Sequence, residues 1–284
     1  MIVLAKRNLK VFFKDKTAVF FSLLAVFIVV GLYVLFLRDT WTMSFSALEG
    51  ASVLMDNWAM AGLVAITPFT AALGAFGIMI NDKERKIYKD FYSSPIKRYE
   101  ITGGYILSSF LVSLVLSGFA LIFTQIYIVA NGGALQDLLS ITKILGVIIL
   151  SVFMNTSLVF FIVTFLDSQN GFATVSTIMG TLIGFLTGVY IPIGMMPKMV
   201  QTVIKVFPAS QSALLLRNIM MEKAMEVSFA NLPLSAIEEI KETMGLNFKF
   251  ASYEVSLFEH LLYIIIIGLV FFLLALWRVS KKSK

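Results

Sequence analysis

The chain has 284 residues, 58% of them hydrophobic and only 14% charged, with a mean hydropathy of +0.89. A soluble globular domain carries about a quarter charged residues, so this composition excludes an ordinary soluble enzyme and points to a membrane protein. The net charge of +6 does not mark a nucleic-acid partner, because Lys and Arg gather at the ends of apolar segments. With no Cys and a single His, disulfides, thiol chemistry and His/Cys metal sites are excluded as well.

In chain order, residues 1–16 come first. Ile2, Ala5, Leu9, Phe12 and Phe13 recur at helical spacing, while Lys6, Lys10 and Lys14 stand four apart on another face beside Arg7. This pattern predicts an amphipathic basic helix lying in the membrane interface. Six apolar stretches follow, at about 18–37, 58–80, 104–130, 144–166, 172–191 and 261–277. They match the roughly 20-residue length that crosses a hydrocarbon core, the last being the shortest. Each must be helical, since a lone strand would leave its backbone groups unpaired in lipid. The first is also too long to be the apolar region of a removable signal peptide. With the N-terminus in the cytoplasm, fifteen of the 23 Lys and Arg fall inside, in 1–16, 81–103 and the tail from Arg278. Six of the other eight lie in one long outer loop, and long loops obey the positive-inside rule poorly. The predicted fold is therefore an all-α integral membrane protein in one domain, with six transmembrane helices and both ends inside.

Between the second and third spans, residues 81–98 read NDKERKIYKDFYSSPIKR. Asn81 and Glu84 have the spacing of a capping pair. Ile87, Tyr88, Phe91 and Tyr92 make one apolar stripe at helical spacing, and Ser93-Ser94-Pro95 stops the helix, because a residue before proline avoids the helical region. Such a short amphipathic helix either lies flat on the bilayer or fits a groove in a soluble partner, and the residues alone do not choose. Pro68 predicts a kink in the second span. In the fifth span, Gly180, Gly184 and Gly188 share a face with Thr177 and Thr181 beside it. Small residues at this spacing let helices approach closely, within one chain or between two. An external region over 192–258 follows. Its three prolines, Pro192, Pro197 and Pro208, interrupt a still apolar sequence and predict short broken helices dipping back into the membrane. Ser235 with Glu238, and Gly245 beyond, bound a helix near 236–244, and five Glu from Glu222 to Glu242 make this part acidic.

No phosphate-binding G-x-x-x-x-G-K-[S/T] loop occurs, so the chain is not its own ATPase by that route. No catalytic residue and no metal ligand is predicted, and His260, near a membrane boundary, reads as an interface residue rather than a general base. The predicted spans carry no ionisable residue in their interiors, which speaks against an ion-coupled carrier or a charged pore. Gln125 and Asn155 read as helix-to-helix hydrogen-bonding residues.

Two stretches carry a family resemblance. One is Glu84-Arg85-Lys86 followed by Ser94-Pro95-Ile96-Lys97-Arg98-Tyr99-Glu100-Ile101 and Gly104; the other is Gly188-Val-Tyr-Ile-Pro192, Pro197, Phe207-Pro208 and Arg217. In these, and in the order of its segments along nearly the whole length, the chain resembles the ABC-2 type permeases, the membrane subunits of ATP-binding-cassette exporters. It departs from the pattern at Ile87-Tyr88, where many members carry Gly-Thr. The resemblance implies that 81–98 holds a coupling helix, with Glu84, Arg85, Ile87, Tyr88, Phe91, Tyr92 and Pro95 at the contact with a separate ATPase, and 167–171 as a smaller second contact. It implies two ATPase copies that hold the ATP and Mg, no cofactor on this chain, and a second permease chain forming a homodimer. It also implies a pathway lined by Phe69, Phe76, Thr177, Thr181 and the glycine face. An interior without charge then predicts export of an apolar or amphipathic cargo: a drug, a lipid or a hydrophobic peptide. The alternative is an ion-coupled secondary transporter or a membrane anchor whose basic loop sits on anionic lipid.

Overall fold

A computed structural model describes residues 1–93, 96–250 and 253–282. Among the described residues the only strands form one ladder of two residues each, β1 (Lys249–Phe250) with β2 (Tyr253–Glu254), and the rest is helices and the turns between them. Helix α1 (Ile2–Lys14) precedes α2 (Lys16–Leu32), a π turn over Tyr33–Leu37, and α3 (Arg38–Ser44). Then come α4 (Ala51–Glu84), the short α5 (Tyr88–Ser93), α6 (Arg98–Ala130), α7 (Leu138–Val163) and α8 (Gln169–Leu186). Four shorter helices follow, α9 (Lys198–Val206), α10 (Pro208–Met220), α11 (Glu222–Ser228) and α12 (Leu234–Met244), before the long α13 (Leu257–Lys282).

Five of these stretches are long and apolar enough to cross a membrane: Lys16–Ser44, α4, α6, α7 and Leu257–Lys281. The number rises to six if α9 and α10, bent by 88° at Phe207, count as one broken span. The predicted span 172–191 is realised as α8, which has 18 residues, opens on Gln-Asn and is not among the five. Each predicted proline break opens a helical segment: Pro192 precedes a 3-10 turn, Pro197 precedes α9, and Pro208 is the first residue of α10. Proline suits these positions because the first amides of a helix have no intrahelical partner to lose.

The core sits around α4, which packs against α6, α7, α10, α2 and α8. Its stretch Trp58-Ala-Met-Ala-Gly-Leu-Val-Ala is apolar or small on every side, and a helix hydrophobic all round belongs in an interior. From Leu54 to Phe69 every residue is buried. By contrast α2 and α13 keep much of their apolar surface exposed, including Phe20, Phe21, Ile266 and Leu273, as lipid-facing helices do. The π turn is a local register shift. At about 100° per residue, Tyr33 and Arg38 would stand on different sides of an α-helix, but one wider turn brings both to the same neighbour on α4.

Candidate functional site

The densest polar structure lies at the end of the bundle that carries α1 and α5. Helix α4 runs on through Glu84, so Asn81 and Glu84 are interior residues of its last turn and not the cap of a new helix. The chain then turns on Lys86, whose φ of 61° is left-handed. Ile87 N–H returns to the Asp82 carbonyl at 2.9 Å and Lys86 N–H to that of Lys83 at 3.2 Å, a Schellman ending with lysine where glycine is usual. Ile87 therefore belongs to the turn. Ile87, Tyr88 and Phe91 are half-buried, while Arg85, Lys86, Lys89 and Asp90 are exposed. The stripe leans on the protein's own surface, and the charged side of the hairpin faces out. Tyr92 lies in α5, and Pro95 falls outside the described residues.

Three consecutive residues tie this turn to the rest of the molecule. The buried carboxylate of Asp82 accepts two hydrogen bonds from Arg7 of α1 and one, at 2.7 Å, from the Tyr105 hydroxyl of α6. That carboxylate holds the Arg7 guanidinium above its already high ordinary pKa, and Arg7 also lies over the Phe91 ring at 5.7 Å. Lys83 pairs with Asp167 at 2.5 Å and donates to the Leu166 carbonyl at 2.7 Å. Glu84 accepts from the first amide of α8, Gln169 N–H, at 3.3 Å, placing a negative charge at a helix N-terminus. Helices α1, α6 and α8 thus all meet the last turn of α4. Close approach of α1 explains Gly103 and Gly104: a Cβ on either would come within 2.8 Å of Met1 or Leu4.

The opposite end repeats the chemistry. Asp56 of α4, 1% exposed, accepts from Arg38 Nε and Nη2 at 2.9 and 2.8 Å, from Tyr33 at 2.9 Å and from Tyr127 of α6 at 3.5 Å. The predicted span, 58–80, stopped short of Asp56 and of Asp82, and between those two α4 carries no charge. Outside the six predicted spans, in the external region, α10 buries Arg217 completely. Arg217 Nη2 donates to the Gly188 carbonyl at 2.7 Å, and the guanidinium stacks on Trp58 at 4.6 Å. Its Nε and Nη1 have no acceptor among the described residues.

The other predicted residues divide between surface and interior. Thr177 and Thr181 are exposed on α8, each donating back to the carbonyl four residues earlier. Nothing lies near a Cβ built on Gly180. Gly184 is covered instead by the Tyr190 ring of the same chain. Gly188 lies past the helix end with φ 64°, closing it by a bond from its N–H to Phe185. The three glycines therefore do not form one interface. Phe69 and Phe76 are buried in the core, and Phe76 stacks on Phe160 at 5.7 Å. His260 is buried as well; Gln211 Oε1 can only accept, so the His260 Nδ1 carries the proton between them. An open cleft of about 310 Å³ lies between α2, α4 and α8, lined by Phe21, Ser22, Thr70, Leu73, Phe172 and Gly180 among others.

A bundle of long apolar helices, joined at one end through a charged hairpin, is the build of a multi-pass membrane protein. The family comparison agrees: residues 59–277 match the model of the ABC-2 family transporter proteins, and the chain belongs to that family. It is a membrane permease subunit, non-catalytic itself, of a family whose members use ATP through a separate ABC ATPase. A comparison with curated proteins returns no match.

Proposed function

We propose that the chain is the permease of an ATP-driven exporter, with both termini in the cytoplasm, α8 as a transmembrane span and the turn 85–93 as the coupling helix. The observation that carries this reading is the junction. A load applied to α5 passes at once through Asp82, Lys83 and Glu84 into α1, α6, α8 and the length of α4. Arg85 and Lys89 give the ATPase a charged exposed face, Ile87, Tyr88 and Phe91 brace that face, and Glu84 and Asp167 form the second contact through α8. In a complex of two permease chains with two ATPases, the ATPases bind and hydrolyse ATP, and their closure rocks the membrane halves. The exposed Thr177 and Thr181, the half-buried Gly180 and the apolar cleft beside α8 support a pathway there for an apolar or amphipathic cargo. Phe69 and Phe76 shape it from behind, inside the core.

The test is affinity capture. The tagged chain, extracted gently from native membranes, is expected to bring down an ABC ATPase in stoichiometric amount, and a Tyr88→Ala/Phe91→Ala double variant is expected to lose it. An ATPase retained equally by the double variant, or none recovered with either protein, sinks the coupling role of this turn.

A further inference from the structure

Helix α1 has a face that nothing among the described residues covers. Its buried side is Ala5, Asn8 and Phe12, set against α6, with Asn8 bonded to Ser108 at 3.3 Å. At 100° per residue, Lys6, Lys10 and Lys14 fall opposite that side, and all three are exposed. They make a row about 12 Å long at 1.5 Å per residue. Ile2, Val3 and Phe13 flank the row and are exposed too, Val3 to 84%. No acidic residue lies within α1. A row of ammonium groups beside bare aliphatic and aromatic side chains complements a surface that offers phosphate charge and hydrocarbon together. That is the surface of an anionic phospholipid leaflet.

The residue at the edge of the lysine row matters equally. Arg7 stands beside the row on the helix, and its side chain reaches over to Asp82, one residue before Lys83 and two before Glu84. We propose that the lysine row of α1 binds the phosphates of anionic phospholipids, and that this docking holds Arg7 on Asp82 and so fixes the α4–α5 turn. Membrane charge thereby regulates the same turn proposed above as the ATPase contact. The regulatory meaning rests on that reading; the lipid site does not. Each lysine near an anionic surface favours it by about fivefold, so the three together correspond to roughly a hundredfold enrichment, weakened by salt.

The test uses the purified full chain in nanodiscs of phosphatidylcholine alone or mixed with phosphatidylglycerol. Hydrogen exchange of residues 82–93 and the thermal midpoint are the readouts. Phosphatidylglycerol is expected to slow exchange in 82–93 at least severalfold and to raise the midpoint, with both effects fading at high salt. A Lys6→Gln/Lys10→Gln/Lys14→Gln variant is expected to behave in both lipids as the native chain does in phosphatidylcholine. Asp82→Asn is expected to keep phosphatidylglycerol binding, followed by native mass spectrometry, but to lose the protection of 82–93. Equal exchange in the two lipids, or a triple variant that still responds, overturns the inference. So does loss of the co-purified ATPase in the triple variant with its lipid response intact, since the lysines would then serve the protein partner. A normal lipid response with no ATPase captured through Tyr88 and Phe91 leaves the lipid site standing and removes the coupling role alone.

Discussion

Two residues hold energy in opposite ways. Lys86 sits in the left-handed region at the end of α4, where an L side chain costs about 1–2 kcal/mol and glycine costs far less. Lys86→Gly is expected to raise the stability of the purified chain by about 1 kcal/mol, read as the midpoint of a denaturation series. A fall would mean that its side chain makes a contact worth more than the strain. Arg217 is the reverse case: a fully buried cation with one carbonyl, one indole face and two N–H groups unmatched among the described residues. Burial of an incompletely paired charge is costly, and replacing it by an apolar side chain of similar length is often neutral or stabilising. Arg217→Met is expected to leave the thermal midpoint unchanged or higher while transport falls. A variant that unfolds would make the arginine a structural brace instead. Asp56 differs from both, since it is nearly inaccessible and fully engaged by Arg38, Tyr33 and Tyr127. Asp56→Ala strands a cation and is expected to cost about 3 kcal/mol, measured by the same unfolding series.

At the scale of elements, the close contacts of the region between α8 and α13 are specific enough to break singly. A Cβ on Gly194 would stand 2.5 Å from the Thr243 backbone, which no rotamer change relieves. Gly194→Ala is expected to push α12 off the preceding turn and cost about 1–3 kcal/mol, with faster hydrogen exchange in 234–244 as the local sign. Run length and hydropathy located the middle of every long helix, with ends up to seven residues off, because the need to satisfy backbone groups in an apolar medium leaves one solution. The proline breaks and the Gly245 ending were legible for the same local reasons: a missing donor and a left-handed φ of 70°. The end of α4 was not. Asn81 and Glu84 read as the capping pair of a separate short helix, and what keeps 82–84 in α4 is pairing with Arg7, Asp167 and Gln169, far away in sequence. The glycine row misled in the other direction. Spacing of four suggests a common face, yet one glycine is capped by a tyrosine ring and another ends the helix, which only the tertiary path after Leu186 decides.

At the scale of the whole molecule, the exposed apolar faces of α2 and α13 need lipid, while the exposed threonine side of α8 is where the proposed second chain would sit. The absence of cysteine makes this simple to test, since any cysteine introduced is alone. Gly180→Cys or Thr181→Cys is expected to give a disulfide-linked dimer on mild oxidation in native membranes, and Ile266→Cys on α13 is expected to give none. The opposite pattern would move the proposed interface to α13.

Helix α4 holds an aspartate at each end, about 39 Å apart at 1.5 Å per residue, and each is gripped by an arginine from the N-terminal helices and a tyrosine from α6. A rod pinned at both ends to α6, and at one end to α1 and at the other to α3, does not tilt freely against them. It can only bow, and it bows most easily near the middle, where Pro68 withholds a backbone donor. A push on the hairpin below would then leave both ends where they are and swell the midsection sideways, towards α8 and the cleft beside it.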